Sequence, residues 1–328
     1  MAPRLVLAFL LVVALTAGCI GGTANPQDPS SAAAPQGAQA GSPSDHGSPE
    51  RDETAVTATR QGSTWIVRQT ITLSNDFGGA SHSDITLDTL NGDVTMAAGG
   101  NGGYEVVANL FGQGNTEAQA RDALDKLRYT DVDSLDGSTL TLTVQVKSTV
   151  QQLPQGESHG ASFSAKLPPQ PSHGLSADSS NGKLTVTGLH GGSVALDSSN
   201  GDLTVSGVFA KVVADTSNGA IGLSGTFNAI TADTSNGAIT ATVRSTASGA
   251  LRFSSSNADI RVTLEAGSDR GFDVSGDTSN GEVTIDLGDA QASDEDDASA
   301  RSDGYAGKAI KLDVDADTSN ADITITAK

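Results

Sequence analysis

The 328-residue chain has one cysteine, Cys19, so no disulfide can form within it. Aromatic residues make up 4% of it, which leaves few rings on which a sugar or a base could stack. Positive charge is also scarce, with 19 Lys and Arg against 39 Asp and Glu and a formal net charge of −20. Nucleic-acid binding needs a basic footprint, so that class is excluded. The N-terminal apolar run from Leu5 to Ala17 falls short of the roughly 20 residues a membrane-spanning helix needs. Catalytic signatures are missing too. No phosphate loop, dinucleotide fingerprint or Gly-x-Ser-x-Gly elbow occurs, and His46, His82, His159, His173 and His190 show no metal-ligand spacing.

The short apolar run does have a use. One positive charge at Arg4, the run itself and small residues before Cys19 make residues 1–18 a secretory signal. Leu15-Thr16-Ala17-Gly18-Cys19 resembles a lipobox, with Thr16 in place of the usual Leu. That resemblance implies lipid attachment at Cys19 and anchorage to the outer face of the cytoplasmic membrane. Residues 19–53 are rich in Ala, Ser, Gly, Pro and Gln, have almost nothing to bury, and read as a disordered tether.

The dominant feature is a repeat. Asp178-Ser179-Ser180-Asn181-Gly182 recurs at Asp197–Gly201, Asp215–Gly219, Asp233–Gly237, Ser254–Ala258, Asp277–Gly281 and Asp317–Ala321. An early copy is Asp88-Thr89-Leu90-Asn91-Gly92. The aligned asparagines are thus Asn91, Asn181, Asn200, Asn218, Asn236, Asn257, Asn280 and Asn320. Apolar residues alternate on both sides of each copy, as in Val212-x-Ala214 before and Ile221-x-Leu223 after, so each unit is strand, corner, strand.

Asn-Gly between alternating strands also signals hairpins. Hairpins, however, give no reason to repeat a whole five-residue corner. A right-handed parallel β-helix (β-solenoid) does, because successive corners lie about 4.8 Å apart, one over another. In that arrangement the asparagines stack, the Ser or Thr after the Asp points inward to satisfy corner backbone groups, and Gly is expected to supply a positive φ. The repeated Asp178, Asp197, Asp215, Asp233, Asp277 and Asp317 point outward. Such a column repels itself by about 0.9 kcal/mol per neighbouring pair in water. Two readings offset this: each Asp accepts from its own corner as an Asx-turn, or the column forms a ladder of weak divalent-cation sites. No dedicated metal motif accompanies it, and no cofactor is expected.

The expected fold is all-β with one short capping helix. Thr116-Glu117-Ala118-Gln119 reads as a capping box opening a helix to about Arg128. Residues 54–174 then hold N-terminal strands, the helix and the start of the stack, with a loop at 151–173. Residues 175–328 hold the regular coils, interrupted by a solvated acidic insertion at 289–303 that accounts for the 40-residue gap between Asn280 and Asn320.

The repeated Asp-Thr-Ser-Asn-Gly corners, with strands and one helix before them, resemble the adhesin family of surface β-solenoid domains, a large family of unknown function. The resemblance covers about residues 55–328 and is strongest over 175–286. The start Gly18-Cys19-Ile20-Gly21-Gly22 is similar to lipoproteins of archaea. Together these imply a non-catalytic cell-surface lipoprotein. Its partners would be the membrane, through the anchor, and an unidentified surface protein or glycan. Two alternatives stay open. One is a polysaccharide lyase-like enzyme using the outward Arg252, Asp259 and Arg261; the other is an envelope-stress sensor.

Overall fold

A computed structural model describes residues 46–328 except 101, 170 and 171. Cys19, the signal and most of the tether lie outside the described residues. The remainder of the tether belongs to the body: strand Glu50–Glu53 pairs antiparallel with residues 71–74, so the boundary at 53 lies too far along the chain.

The described chain is all-β apart from the helix Glu117–Asp125 and one 3-10 turn, and its 22 strands form one mixed sheet. Alternation decides each strand's faces. In Ile239–Arg244, Ile239, Ala241 and Val243 are buried while Thr240, Thr242 and Arg244 are exposed. The pairings divide into two ladders, one on each side of the corners. After the corner, Val94–Ala98, residues 184–187, Leu203, Ile221, Ile239, Ile260, Ile323 and Val283 align side by side, all parallel. Before the corner, His82–Thr89, Ser172–Ser179 and their later equivalents do the same. Parallel pairing of equivalent residues is what a β-helix requires. The buried faces merge into one apolar core running from Val67 to Ile325.

Both ladders end in antiparallel strands. At the N-terminal end Gly103–Gly114 runs against Ser158–Leu167, and Leu127–Asp136 against Thr139–Ser148. The 151–173 stretch is therefore not all loop, because Ser158–Leu167 is a strand with Ala161, Phe163 and Ala165 in the core. The expected acidic insertion is likewise structured. Gln291–Asp294 pairs antiparallel with Val283–Asp286, and Asp297–Arg301 with residues 273–277, which finishes both ladders at the far end. Glu295 and Asp296 form the turn between these two strands, and the exposed charges suit a terminal strand pair.

The helix has the expected capping box, with Thr116 Oγ1 accepting from Gln119 N and Gln119 Oε1 accepting from Thr116 N. It ends earlier than expected, because Leu127 opens a strand instead of a last helical turn. Its buried face, Ala120, Ala123 and Leu124, lies on Gly112 and Gly114, where any Cβ would collide with the helix backbone or Gln119.

Spatial order departs from chain order. Residues 310–327 lie between coil 251–264 and coil 270–286, although those two follow one another in sequence. The 40-residue gap is thus a displaced coil plus a terminal strand pair, not a loop.

Candidate functional site

Each repeated corner forms around one hydroxyl. Thr216 Oγ1 accepts from the Gly219 amide three residues on, at 3.2 Å, and donates to Gly201 O of the preceding corner, also at 3.2 Å. Ser179, Ser198, Thr234 and Ser255 do the same. These side chains are buried, so the hydroxyl satisfies groups that water cannot reach. The amide of the corner glycine is therefore held by the inward Thr or Ser three residues before it.

The role expected of glycine needs correction. Corner glycines 92, 182, 201, 219, 237 and 281 are absent from the positive-φ residues. They are required because the chains approach too closely for a Cβ. One built on Gly201 would overlap Gly182 O, and one on Gly219 would overlap Gly201 O. Two corners carry alanine, Ala258 and Ala321, and they lie in adjacent coils. The Ala258 corner keeps its hydroxyl bridge through Ser255, whereas at the Ala321 corner Thr318 Oγ1 is buried without a hydrogen-bond partner.

All eight predicted asparagines join one ladder. Each donates from Nδ2 to the Oδ1 of its neighbour: Asn181 to Asn91, Asn200 to Asn181 (2.7 Å), Asn218 to Asn200 (2.7 Å), Asn236 to Asn218 (2.8 Å) and Asn257 to Asn236 (2.9 Å). Asn320 then donates to Asn257 (2.9 Å), and Asn280 to Asn320 (3.0 Å). Asn91 ends the ladder by donating to His159 O at 3.0 Å. At four corners the Asp that follows the corner Gly or Ala adds a second register lock that sequence reasoning missed. Asp93, Asp202, Asp259 and Asp322 each accept a backbone N–H from the adjacent coil.

The predicted Asp column forms and is exposed, in the order Asp88, Asp178, Asp197, Asp215, Asp233, Ser254, Asp317, Asp277, Asp297. Partial burial, then the charges of Asp197 and Asp88, push the Asp178 carboxyl above the usual range, against the opposing pull of Lys147. Burial, then Asp277 and Asp315, do the same to Asp317. Ser254 interrupts the column between Asp233 and Asp317. Among the described residues no group of three or more His, Cys, Asp or Glu is placed to hold a metal ion.

Of the residues named for the enzyme reading, Arg252 stands in the ladder before the corner and Arg261 in the ladder after it. Arg261 pairs with Asp259 at 2.6 Å, an exposed ion pair of little energetic weight. Arg252 instead lines a shallow groove with Asp273, Asp313 and Asp315. A cleft of about 720 Å³ lies at the far end against Asn280, Glu282, Asp294, Asp296 and Asp322.

Two buried clusters escaped the sequence reading. His173 accepts from or donates to Ser83 Oγ at 2.7 Å through Nδ1, and its Nε2 lies 2.9 Å from Pro168 O. Burial, then the neighbouring His190, act to lower the His173 pKa. Ser83 is 1% exposed and His173 0%, so this Ser–His pair has no access to substrate. The second cluster joins the N-terminal arm to the body. Asp133, with a fully buried side chain, takes His46 Nε2 at 2.8 Å, Asn75 Nδ2 at 2.9 Å and the Tyr104 hydroxyl at 2.6 Å. Burial and this bond push the Tyr104 pKa far up, so it remains a donor. The sequence could have paired Ser83 with His173, because each lies six residues before its corner hydroxyl; His46 and Asp133 are 87 positions apart and carry no such signal.

No described protein family matches the sequence, and no curated protein matches it. Among solved structures, a "putative cell adhesion protein" from Clostridium sporogenes ATCC 15579 is similar at 7% identity and a TM-score of 0.37, covering 85% of this chain and 100% of that one. A "putative adhesin" from Bacteroides fragilis NCTC 9343 is similar at 11% identity and a TM-score of 0.30, covering 79% of this chain and 97% of that one. Likeness at these scores assigns no function.

Proposed function

We propose that the chain is a non-catalytic cell-surface lipoprotein whose right-handed β-solenoid serves adhesion, envelope structure or protein contact. Cys19 carries the lipid, residues up to the mid-forties supply reach, and the outward rows of the coils supply contact. The observation that supports this most is how the repeated polar groups are used. The corner hydroxyls and asparagines are bonded to one another and to the backbone, so the repeat is frame. What remains variable and outward is surface, which is where a display protein differs from its neighbours. No helix among the described residues is long and apolar enough to cross a membrane, so attachment in this reading rests on the lipid.

The test is retention of cell-envelope material. Purified protein immobilised on resin is expected to hold a wall, glycan or protein component under physiological salt. Failure to retain any of the three, from fractionated envelopes, would overturn the adhesive reading.

A further inference from the structure

We infer that the C-terminal coil, residues 310–328, is an exchangeable unit, and that the partner it fits is a second copy of this chain. The coil sits in a slot between two coils that the chain makes consecutively. Residues 265–269 already join coil 251–264 to coil 270–286, and the inserted coil pairs in parallel with both. It can therefore leave without breaking the connection between its neighbours.

The slot is also self-complementary in register. Leu251, Val314 and Val274 are equivalent positions, as are Ile260, Ile323 and Val283. When the coil leaves, the two flanking coils can close on one another with the same alternation. Its corner is seated by the general bonds of the repeat, with two further contacts, Lys311 N to Ser248 Oγ and Ser275 Oγ to Asp315, whose atoms a second copy also carries. Asn320 donates to Asn257, Asn280 donates to Asn320, the Asp322 amide bonds Asp259, and the Glu282 amide bonds Asp322. The same atoms are available on a second copy.

The seam on one side of the insert carries a defect not found at the other corner hydroxyls. Ala321 stacks on Ala258, and Thr318 Oγ1 is buried there without a partner. A buried hydroxyl without a partner destabilises the fold, so the insert is held less well than an ordinary coil. Eight residues, 302–309, connect it to the terminal strand pair; extended, they reach roughly 26–29 Å, several coil spacings. Donation of this coil into the equivalent slot of another copy gives a domain-swapped dimer with no new contact chemistry.

The test uses the full chain carrying Cys19→Ser. One population carries Thr284→Cys and the other Thr324→Cys, which are register partners across the seam. After mixing in mild urea and return to buffer, a short bismaleimide is added. The expected product is a covalent dimer from the mixed sample, while the chain bearing both cysteines links internally. Internal linking without any mixed dimer would overturn the proposal. Hydrogen exchange gives an independent measurement. Residues 310–328 are expected to exchange faster than the outer coil 270–286; simple fraying from the end produces the reverse order, which would equally sink the idea.

Discussion

Asn320 donates its side-chain amide to Asn257, 63 positions earlier, at 2.9 Å. Asn280 is nearer to Asn257 in the chain yet lies one coil farther away, bonded to Asn320. Spin labels at 257 and 320 are therefore expected to report a separation one strand spacing, about 5 Å, shorter than labels at 257 and 280. Equal distances, or the opposite order, would contradict the interposed coil.

The corner hydroxyls allow a paired comparison. Thr216→Val strands the Gly219 amide and the Gly201 carbonyl in a buried site, which should cost at least about 2 kcal/mol. Thr216→Ser keeps the bridge and should cost much less, as Ser198 and Ser255 already show the same bonding. Thr318→Val removes a hydroxyl with no hydrogen-bond partner and is expected to be neutral or stabilising. Urea denaturation of the three variants measures this directly.

Close approach, not backbone conformation, is the reason for glycine at the corners. Gly219→Ala is expected to destabilise by about 1–3 kcal/mol, because its Cβ would overlap Gly201 O. An exposed glycine with open space around it, such as Gly307, should tolerate the same change with little effect. Thermal denaturation of both variants distinguishes overlap from a general preference for glycine.

Two groups should move stability with pH in opposite directions. The folded pKa of Asp178 is raised, by burial first and then by Asp197 and Asp88. Its contribution to stability is whole below the ordinary aspartate value of about 3.9 and is lost as pH rises through the raised folded value. Asp178→Asn should therefore stabilise the protein at neutral pH, with the gain vanishing in acid. The folded pKa of His173 is lowered, chiefly by burial. Its contribution is whole above about 6.5 and is lost as pH falls through the depressed value. His173→Gln should weaken the fold at pH 7.5 but flatten the decline towards pH 5, as read from urea midpoints.

Anchorage has its own test. Cys19→Ser is expected to move the protein from the membrane fraction to the medium. Continued retention in membranes would refute lipid attachment at that residue.

Much of the frame was legible in the sequence because the repeat enforces a single solution. Alternation placed Val212, Ala214, Ile221 and Leu223 inside, and the recurring asparagine implied the ladder. The conformational role assigned to glycine was wrong because a sequence shows that no Cβ is present, not whether space or φ excludes it. Coil order was hidden for a deeper reason. Coils 251–264, 270–286 and 310–327 satisfy the same alternation, so nothing local says which stacks on which. The acidic stretch at 289–303 looked solvated because its charges are outward, yet Ala292, Ala298 and Ala300 alternate with them as a terminal strand pair should. The cluster of His46, Asn75, Tyr104 and Asp133 spans too much chain for any spacing rule to find.

The asparagine ladder has a direction. Each carboxamide gives toward the N-terminal end and receives from the other, so every rung presents the same socket and the same plug. A stack with uniform joints has no fixed length. A further coil carrying the same corner can be added between any two rungs, as residues 310–327 are added between Asn257 and Asn280, without redesign of either neighbour. Gain or loss of a single repeat would therefore change the length of the stack by one strand spacing.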